Sequence, residues 1–210
     1  FAHELQKQGS SEPSPKEIFT AVRATHKRVR GAYSTVIMIN GIGLVGFRDP
    51  FGIRPLIVGR KENDLLGSEY MIASESIVLD VLGFEVMNDV STGEAVFVNL
   101  DGEIHIQACI DNPIHTPCIF EYVYLARPDA VIDKISVHKS RLRMGEALAE
   151  KIMKTIPDHD IDVVIPIPDS STTSALQLAS TLGLKYREGF VKNRYIGRTF
   201  IMPFQEKREK

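Results

Sequence analysis

Apolar and polar positions change rhythm twice along the chain. Over residues 15–30 the apolar side chains Ile18, Ala21, Val22 and Val29 recur at the spacing of one helical face. Just before them Ser14, Pro15 and Glu17 read as a helix start, with Ser as N-cap, Pro in the first turn and Glu completing a capping box. Gly31 is the expected stop, and residues 9–14 form a Gly/Ser/Pro linker. From residue 32 the rhythm shortens to that of strands. Residues 33–39 and 43–47 are β-rich runs split by Asn40-Gly41, a strong hairpin signal. Asp49, Pro50 and Gly52 hold favoured positions of a type I turn. Residues 55–59, 70–73, 94–100 and 104–108 continue as strands, with Asp101-Gly102 as a second hairpin turn. Residues 31–110 therefore predict a multi-stranded, mostly antiparallel sheet layer with few helices.

The second change comes after Pro117. Residues 138–156 predict a long helix with Leu148, Ile152 and Ile156 on one stripe, Ala149 and Met153 beside it, and Pro157 ending it. Residues 162–168 are a continuous apolar run, the pattern of a strand buried on both faces of a parallel sheet. Residues 170–182 read as a helix on Ala175, Leu176, Ala179 and Leu182, closed by Gly183. Helix, buried strand, loop and helix make the opening of an α/β domain. The domain boundary is expected between residues 110 and 137.

Composition excludes several classes. The 210 residues are 43% hydrophobic and 25% charged, ordinary for a globular protein and unlike a disordered chain, a fibre or a disulfide scaffold. The formal charge of −2 leaves no nucleic-acid footprint. No apolar run reaches the ~18 residues of a membrane span, and the N-terminus lacks the cationic and apolar regions of a signal peptide. The two cysteines, Cys109 and Cys118, fit no zinc spacing and suggest a reducing, cytoplasmic compartment. The six histidines never pair at ligand spacing, so none is assigned a metal. Both ends read as interior sequence, and the natural protein is expected to extend beyond each.

The candidate chemistry lies in two stretches. Asp169, Ser170, Ser171 and Thr172 follow an apolar strand and open a helix, where open α/β sheets bind ligands. Hydroxyls and helix N-terminal amides suit phosphate or pyrophosphate; the competing reading is that Asp169 or Ser170 only caps the helix. Lys192, Arg194 and Arg198 surround Gly197, with Asn193 and Tyr195 between them. Arg forks and a Lys point charge suit a polyphosphorylated ligand, and Gly197 suits a hinged lid; the alternative is a solvated basic loop. Glu121, Tyr122 and Tyr124, near Arg127, read as polar core residues at a domain interface, and Cys118 as a buried small hydrophobe.

Five stretches carry a resemblance over essentially the whole chain. FRDPFGIRPL (residues 47–56), ASES (73–76), FEYVYLARPDAVID (120–133), DVVIPIPDSS (162–171) and VKNRYIGRTFIMP (191–203) closely resemble the amidophosphoribosyltransferases. The resemblance implies α+β and α/β architecture: the later half of an N-terminal-nucleophile (αββα) glutaminase domain, then the start of a type I phosphoribosyltransferase domain. The implied divisions are a partial glutaminase at 1–115, a junction at 116–137 and a partial phosphoribosyltransferase at 138–210. The implied activity is transfer of ammonia from glutamine to phosphoribosylpyrophosphate, giving 5-phosphoribosylamine, pyrophosphate and glutamate in the first step of de novo purine synthesis.

By position, Asp169, Ser170, Ser171 and Thr172 resemble the family's pyrophosphate loop. Lys192, Asn193, Arg194, Tyr195, Gly197, Arg198, Thr199 and Ile201 resemble its flexible lid and ammonia channel. Lys192 also matches a position implicated in inhibition by purine nucleotides. The family's nucleophilic Cys and its ribose-phosphate loop match nothing in these residues, so the chain alone is expected to run neither half-reaction. Phe51 departs from the family's usual Asn. The resemblance implies Mg²⁺ accompanying the substrate and a homo-oligomer, usually a tetramer. It gives no reason to expect nucleic acid or membrane as partner. No iron–sulfur cluster is expected, because a four-Cys site needs three thiols besides Cys118. Two alternatives remain: another amidotransferase with the same glutaminase fold, against which the 162–173 unit argues, and a non-catalytic, nucleotide-binding regulatory truncation.

Overall fold

The computed structural model describes residues 1–64, 67–193 and 195. The chain divides into two compact units, Phe1–Ser140 and Arg141–Lys210. Residues 116–137, read from sequence as a junction, lie inside the first.

The first unit opens with helices α1 (Ala2–Gln6) and α2 (Pro15–Arg28). The capping box forms as expected: the Glu17 amide donates to the Ser14 hydroxyl, and the Ser14 amide donates to the Glu17 carboxylate at 2.7 Å. Ile18, Phe19, Ala21 and Val22 are buried along one face. The helix stops at Arg28, short of Gly31; Val29 is extended and 44% exposed, not part of the buried stripe.

Four strands, β1 (Ser34–Ile39), β2 (Gly43–Arg48), β6 (Glu94–Asn99) and β7 (Ile104–Ala108), pair antiparallel in the order β1-β2-β6-β7. The expected hairpins at Asn40-Gly41 and Asp101-Gly102 both close, with Ile37 opposite Val45 and Val96 opposite Ile106. A second antiparallel sheet, in the order β4-β3-β5, consists of β3 (Ile57–Asn63), β4 (Gly67–Ala73) and β5 (Glu85–Asp89). Helix α3 (Ser76–Leu82) precedes β5; neither element was expected from the sequence.

The single sheet layer expected over residues 31–110 is therefore two sheets. The chain leaves β2 through a turn organised by fully buried Asp49. Its carboxylate accepts from the amides of Phe51 (2.9 Å), Ile53 (3.2 Å) and Arg54 (3.0 Å). Alternation along β6 joins the layers. Ala95 and Phe97 pack with Ile18, Phe19 and Val22 of α2, whereas Val96 and Val98 pack with Leu56, Val58 and Val90. One face of this sheet thus carries a helix and the other the second sheet.

The first unit ends in a π-helical turn (Glu121–Leu125) and a small hairpin, β8 (Val131–Ile132) and β9 (Ile135–Ser136). Helix α4 (Val137–Thr155) then crosses the division between the units. In the second unit β10 (Val163–Val164), α5 (Thr172–Leu182) and β11 (Lys185–Tyr186) form a β-α-β unit with parallel strands.

Two expectations here are corrected. The apolar run at 162–168 forms a strand only at β10, where Val164 is 9% exposed but Ile165 is 42% and Ile167 64% exposed. Among the described residues β10 pairs only with β11, and the core on it comes from Ala175 and Ala179 of α5 on one face. The expected stripe of α4 is not the buried one: Leu148 is 48% exposed, Ile152 half-buried, and Ile156, just past the end of the helix, 55% exposed. The buried positions are Val137, Arg141, Gly145 and Ala149, four residues apart. Ala149 is 0% exposed, and a Cβ on Gly145 would lie 2.4 Å from the Ser174 carbonyl. At Gly145 the close approach of the α5 backbone leaves no room for a side chain.

Candidate functional site

The loop after β10 is shaped by its own hydrogen bonds. The Ser171 hydroxyl donates to the Ile167 carbonyl at 2.5 Å, and the Thr172 amide to the Asp169 carbonyl at 3.3 Å. The Pro168–Asp169 peptide bond is cis. Helix α5 then begins from Ser171 with no side-chain cap, so the expectation of Asp169 or Ser170 as N-cap is not met. The positive end of an 11-residue helix dipole faces this loop without a side-chain acceptor.

The chain returns along β11 and brings later residues back to the same place. A pocket of about 280 Å³ is walled by Pro166, Pro168, Asp169 and Thr172 on one side and by Tyr186, Glu188, Phe190, Val191 and Lys192 on the other. The Lys192 ammonium lies 3.0 Å from the Asp169 carboxylate, with side chains 53% and 69% exposed. An exposed pair of this kind adds little stability, so an incoming anion can take over the ammonium at small cost.

Of the residues read from sequence, the structure gathers Asp169, Thr172 and Lys192 around one pocket. Ser171 shapes the loop through its bond to the Ile167 carbonyl, and neither it nor Ser170 lines that pocket. Asn193 accepts a hydrogen bond from the Tyr195 amide at 3.0 Å, and Tyr195 is fully exposed. Arg194, Gly197, Arg198, Thr199 and Ile201 lie outside the described residues. Tyr186, Glu188 and Phe190 were missed. Their signal was the short run after Gly183, which in a β-α-β unit returns beside the first strand. Among the described residues no group of three or more His, Cys, Asp or Glu is placed to hold a metal.

The first unit holds the polar residues of residues 116–137 firmly. Glu121 is buried and accepts from Arg54, and burial pushes its carboxyl above the ordinary range against the pull of that guanidinium. The partner is Arg54, whereas Arg127 forks onto Asp129 at 3.0 and 2.8 Å. Tyr122 donates to the Ile132 carbonyl at 3.3 Å, while Tyr124 is 41% exposed.

The thiols behave differently from each other. Cys109 is fully buried, donates weakly to the Phe19 carbonyl at 3.7 Å, and burial pushes its pKa up to about 11. Cys118, expected to be buried, is half-exposed. Since the thiolate is the reactive species, iodoacetamide at pH 8 should modify Cys118 first. Cys109 should react about a hundredfold more slowly until the protein is unfolded. Peptide mapping by mass spectrometry over a time course measures the ratio; equal rates in the native protein would contradict the burial argument.

An antiparallel two-sheet unit in the same chain as a β-α-β unit with an uncapped helix start defines a mixed α/β protein. No family model matches the chain. Among curated proteins it is similar to the amidophosphoribosyltransferase of Pseudomonas aeruginosa, 58% identical over all 210 residues and 42% of that protein. It is 53% identical to the Escherichia coli amidophosphoribosyltransferase over the same shares. Against that of Schizosaccharomyces pombe the identity is 50%, covering the whole chain and 42% of the relative. Among solved structures it superposes on the allosteric regulatory enzyme of purine biosynthesis with TM-score 0.77 at 34% identity, over 99% of the chain and 41% of the other. A glutamine phosphoribosylpyrophosphate amidotransferase from Bacillus subtilis, complexed with ADP and GMP, gives TM-score 0.71 at 32% identity, over 99% and 46%. The chain belongs to the amidophosphoribosyltransferase family, and it spans about two fifths of the length of the curated relatives it matches. No described helix is long and apolar enough to cross a membrane.

Proposed function

We propose that the chain is part of an enzyme that transfers ammonia from glutamine to phosphoribosylpyrophosphate, releasing 5-phosphoribosylamine, pyrophosphate and glutamate. In this reading residues 1–115 belong to the later part of an N-terminal-nucleophile glutaminase domain, 116–137 to a junction, and 138–210 to the start of a type I phosphoribosyltransferase domain. One observation carries it: the pocket of Asp169, Thr172 and Lys192 stands at the C-terminal end of β10, in a chain matched over its full length by amidophosphoribosyltransferases.

The chemistry follows from the groups present. The first-turn amides of α5 and the Thr172 hydroxyl donate to pyrophosphate oxygens. Lys192 leaves Asp169 for the same anion, adding a charge-assisted contact as the leaving group departs. Ser171 holds the loop in register through its bond to the Ile167 carbonyl, and Ser170 adds a hydroxyl beside the same anion. Closure of the lid at Lys192, Asn193, Arg194, Tyr195, Gly197, Arg198, Thr199 and Ile201 excludes water and guides ammonia to the ribose. The acids at the pocket are Asp169 and Glu188, too few for a protein cage. That fits a Mg²⁺ held mainly by substrate oxygens and water, where it neutralises the pyrophosphate. Purine nucleotides as inhibitors, a homo-oligomer and a cytoplasmic setting belong to the same reading.

The test uses the full-length protein. Phosphoribosylpyrophosphate, Mg²⁺ and glutamine should give phosphoribosylamine and glutamate together, and loss of either product overturns the reading. Tyr195→Ala should lower the ratio of phosphoribosylamine to glutamate roughly ten- to a hundred-fold, with free ammonia restoring synthesis. An unchanged ratio would remove Tyr195 from the coupling. An equal loss with free ammonia would place it in the transferase step.

A further inference from the structure

The turn of the β1–β2 hairpin carries chemistry that the proposed reaction does not use. Of the asparagines in the chain, Asn40 alone is followed by glycine. It is exposed at the tip of the turn, between Ile39 and Gly43, which pair across the hairpin. The Ile42 amide closes the turn by donating to the Ile39 carbonyl at 3.0 Å. The Gly41 amide and the Asn40 carboxamide have no hydrogen-bond partner among the described residues. Gly41 takes a φ of 74°, and a Cβ built on it would meet nothing within 4 Å. The nitrogen that would attack the Asn40 side chain is therefore unpaired and unshielded.

The other asparagines lack these features. The side chains of Asn63 and Asn99 donate to Glu69 at 2.6 Å and Glu103 at 2.8 Å. Asn88 donates to the Asp89 carbonyl at 3.0 Å, and Asn193 accepts from the Tyr195 amide at 3.0 Å. Each of the four is followed by a residue whose side chain crowds the attacking nitrogen, and Asn112 is followed by Pro113, which has no N–H. The Asp101-Gly102 turn looks alike in sequence, but its Gly102 amide donates to the Asn99 carbonyl at 3.2 Å. A carboxylate is also a poorer electrophile than a carboxamide.

We propose that Asn40 is a self-modifying site that converts to isoaspartate, and that the product is a substrate for a methyl-transferring repair enzyme. The Gly41 nitrogen gives up its proton and bonds to Cγ of Asn40. The Cγ–Nδ2 bond breaks, and Nδ2 leaves with that proton as ammonia. Water then adds to one of the two carbonyls of the succinimide ring so formed. Opening at Cγ gives aspartate. Opening at the main-chain carbonyl breaks its bond to the Gly41 nitrogen and gives isoaspartate, with the chain running through Cγ. The net change is one water taken up and one ammonia released. The freed α-carboxylate then takes the methyl group of S-adenosylmethionine, the sulfonium S–C bond breaking as the O–C bond forms. The lengthened link must be absorbed within residues 40–42, because a Cβ on Gly43 would lie 2.1 Å from the Val98 carbonyl and β2 has no slack against β6.

The test incubates the folded, full-length protein at pH 8.5 and follows it by tryptic peptide mapping. The peptide of residues 31–48 contains Asn40 and no other asparagine. Its mass should rise by the difference between an amide NH₂ and a hydroxyl. The conversion should be at least about tenfold faster than at any other asparagine, a barrier difference of about 1.4 kcal/mol. It should slow at pH 6, since the attacking nitrogen must lose its proton. The aged protein should take up labelled methyl groups from S-adenosylmethionine in the presence of an isoaspartate-directed methyltransferase. Asn40→Gln keeps an amide but sets it one carbon further from the Gly41 nitrogen, and should lose that uptake. Conversion in guanidinium with none in the folded protein would overturn the proposal. So would conversion at Asn40 no faster than at Asn99, or undiminished methyl uptake by Asn40→Gln.

Discussion

Arg48→Met is expected to lower stability by about 3–5 kcal/mol, the range for breaking a buried ion pair by removing one partner. Arg48 sits at the end of β2 and is 1% exposed. Its guanidinium uses every donor it has. Nε donates to the Arg54 carbonyl at 2.7 Å, and Nη1 and Nη2 donate to the carbonyls of Val90 at 3.0 Å and Gly52 at 2.8 Å. The same two nitrogens fork onto the Asp133 carboxylate at 2.7 and 2.9 Å. Asp133 and Lys134 form the tip of the β8–β9 hairpin with φ of 48° and 64°, so the fork also holds a turn that few residues adopt freely. Methionine would fill much of the volume, leave three carbonyls without this donor, and leave the Asp133 carboxylate only His115, at 3.7 Å. Arg48→Lys should fall between, because an ammonium cannot reproduce the planar fork. The double variant Arg48→Met with Asp133→Leu should regain part of the loss, since the stranded charge is gone. Urea unfolding of the three variants measures this. A loss under about 1 kcal/mol for Arg48→Met would show that the buried network contributes no more than a surface pair.

The second large effect is a dependence of stability on pH. His26 is 7% exposed, and desolvation holds its pKa down at about 4, partly opposed by Asp49 and reinforced by Arg23. In the unfolded chain the same imidazole titrates near 6.5. Above that value both states are neutral and His26 contributes no slope. As pH falls from about 6.5 towards 4 the unfolded state takes up a proton that the folded state refuses, so stability is lost across that window. The loss is about 2 kcal/mol at pH 5 and about 3 kcal/mol once the window is passed. Carboxylates titrate in the same region, so the informative quantity is a difference between proteins. The fall in unfolding free energy between pH 7.5 and 5 should be about 2 kcal/mol smaller in His26→Phe than in the parent. Equal falls would mean that His26 protonates without leaving its site.

Local order was legible in the residues. The capping box at Ser14 and Glu17, the hairpins at Asn40-Gly41 and Asp101-Gly102, and the stop at Gly183 all form, because each is settled by contacts a few residues apart. So was the loop that leads from β10 into α5, since an apolar run followed by hydroxyls and a helix pattern is a local signature. Its far wall was not legible. Tyr186, Glu188 and Phe190 reach the pocket only because β11 lies beside β10.

Burial was decided by tertiary structure, since apolar character alone does not say which face is covered. Val96 and Val98 look equivalent to Ala95 and Phe97 in the run along β6, yet the two pairs enter different cores, one against α2 and one against the second sheet. Ile165 and Ile167 are as apolar as Val164 but stay exposed, because the described core on β10 forms on Val164 alone. On α4 the buried face is Val137, Arg141, Gly145 and Ala149 rather than Leu148, and at Gly145 the Ser174 backbone approaches too closely for a side chain. The partners of Arg48 and Glu121 were equally out of reach, lying 85 and 67 residues away along the chain. The sequence by itself determined the capped start of α2, the two hairpin turns and the stop at Gly183, because each depends on neighbours a few residues apart. Only the tertiary structure decided which side chains are buried and which distant charges meet, because burial and ion pairing depend on surfaces that sequence neighbours do not share.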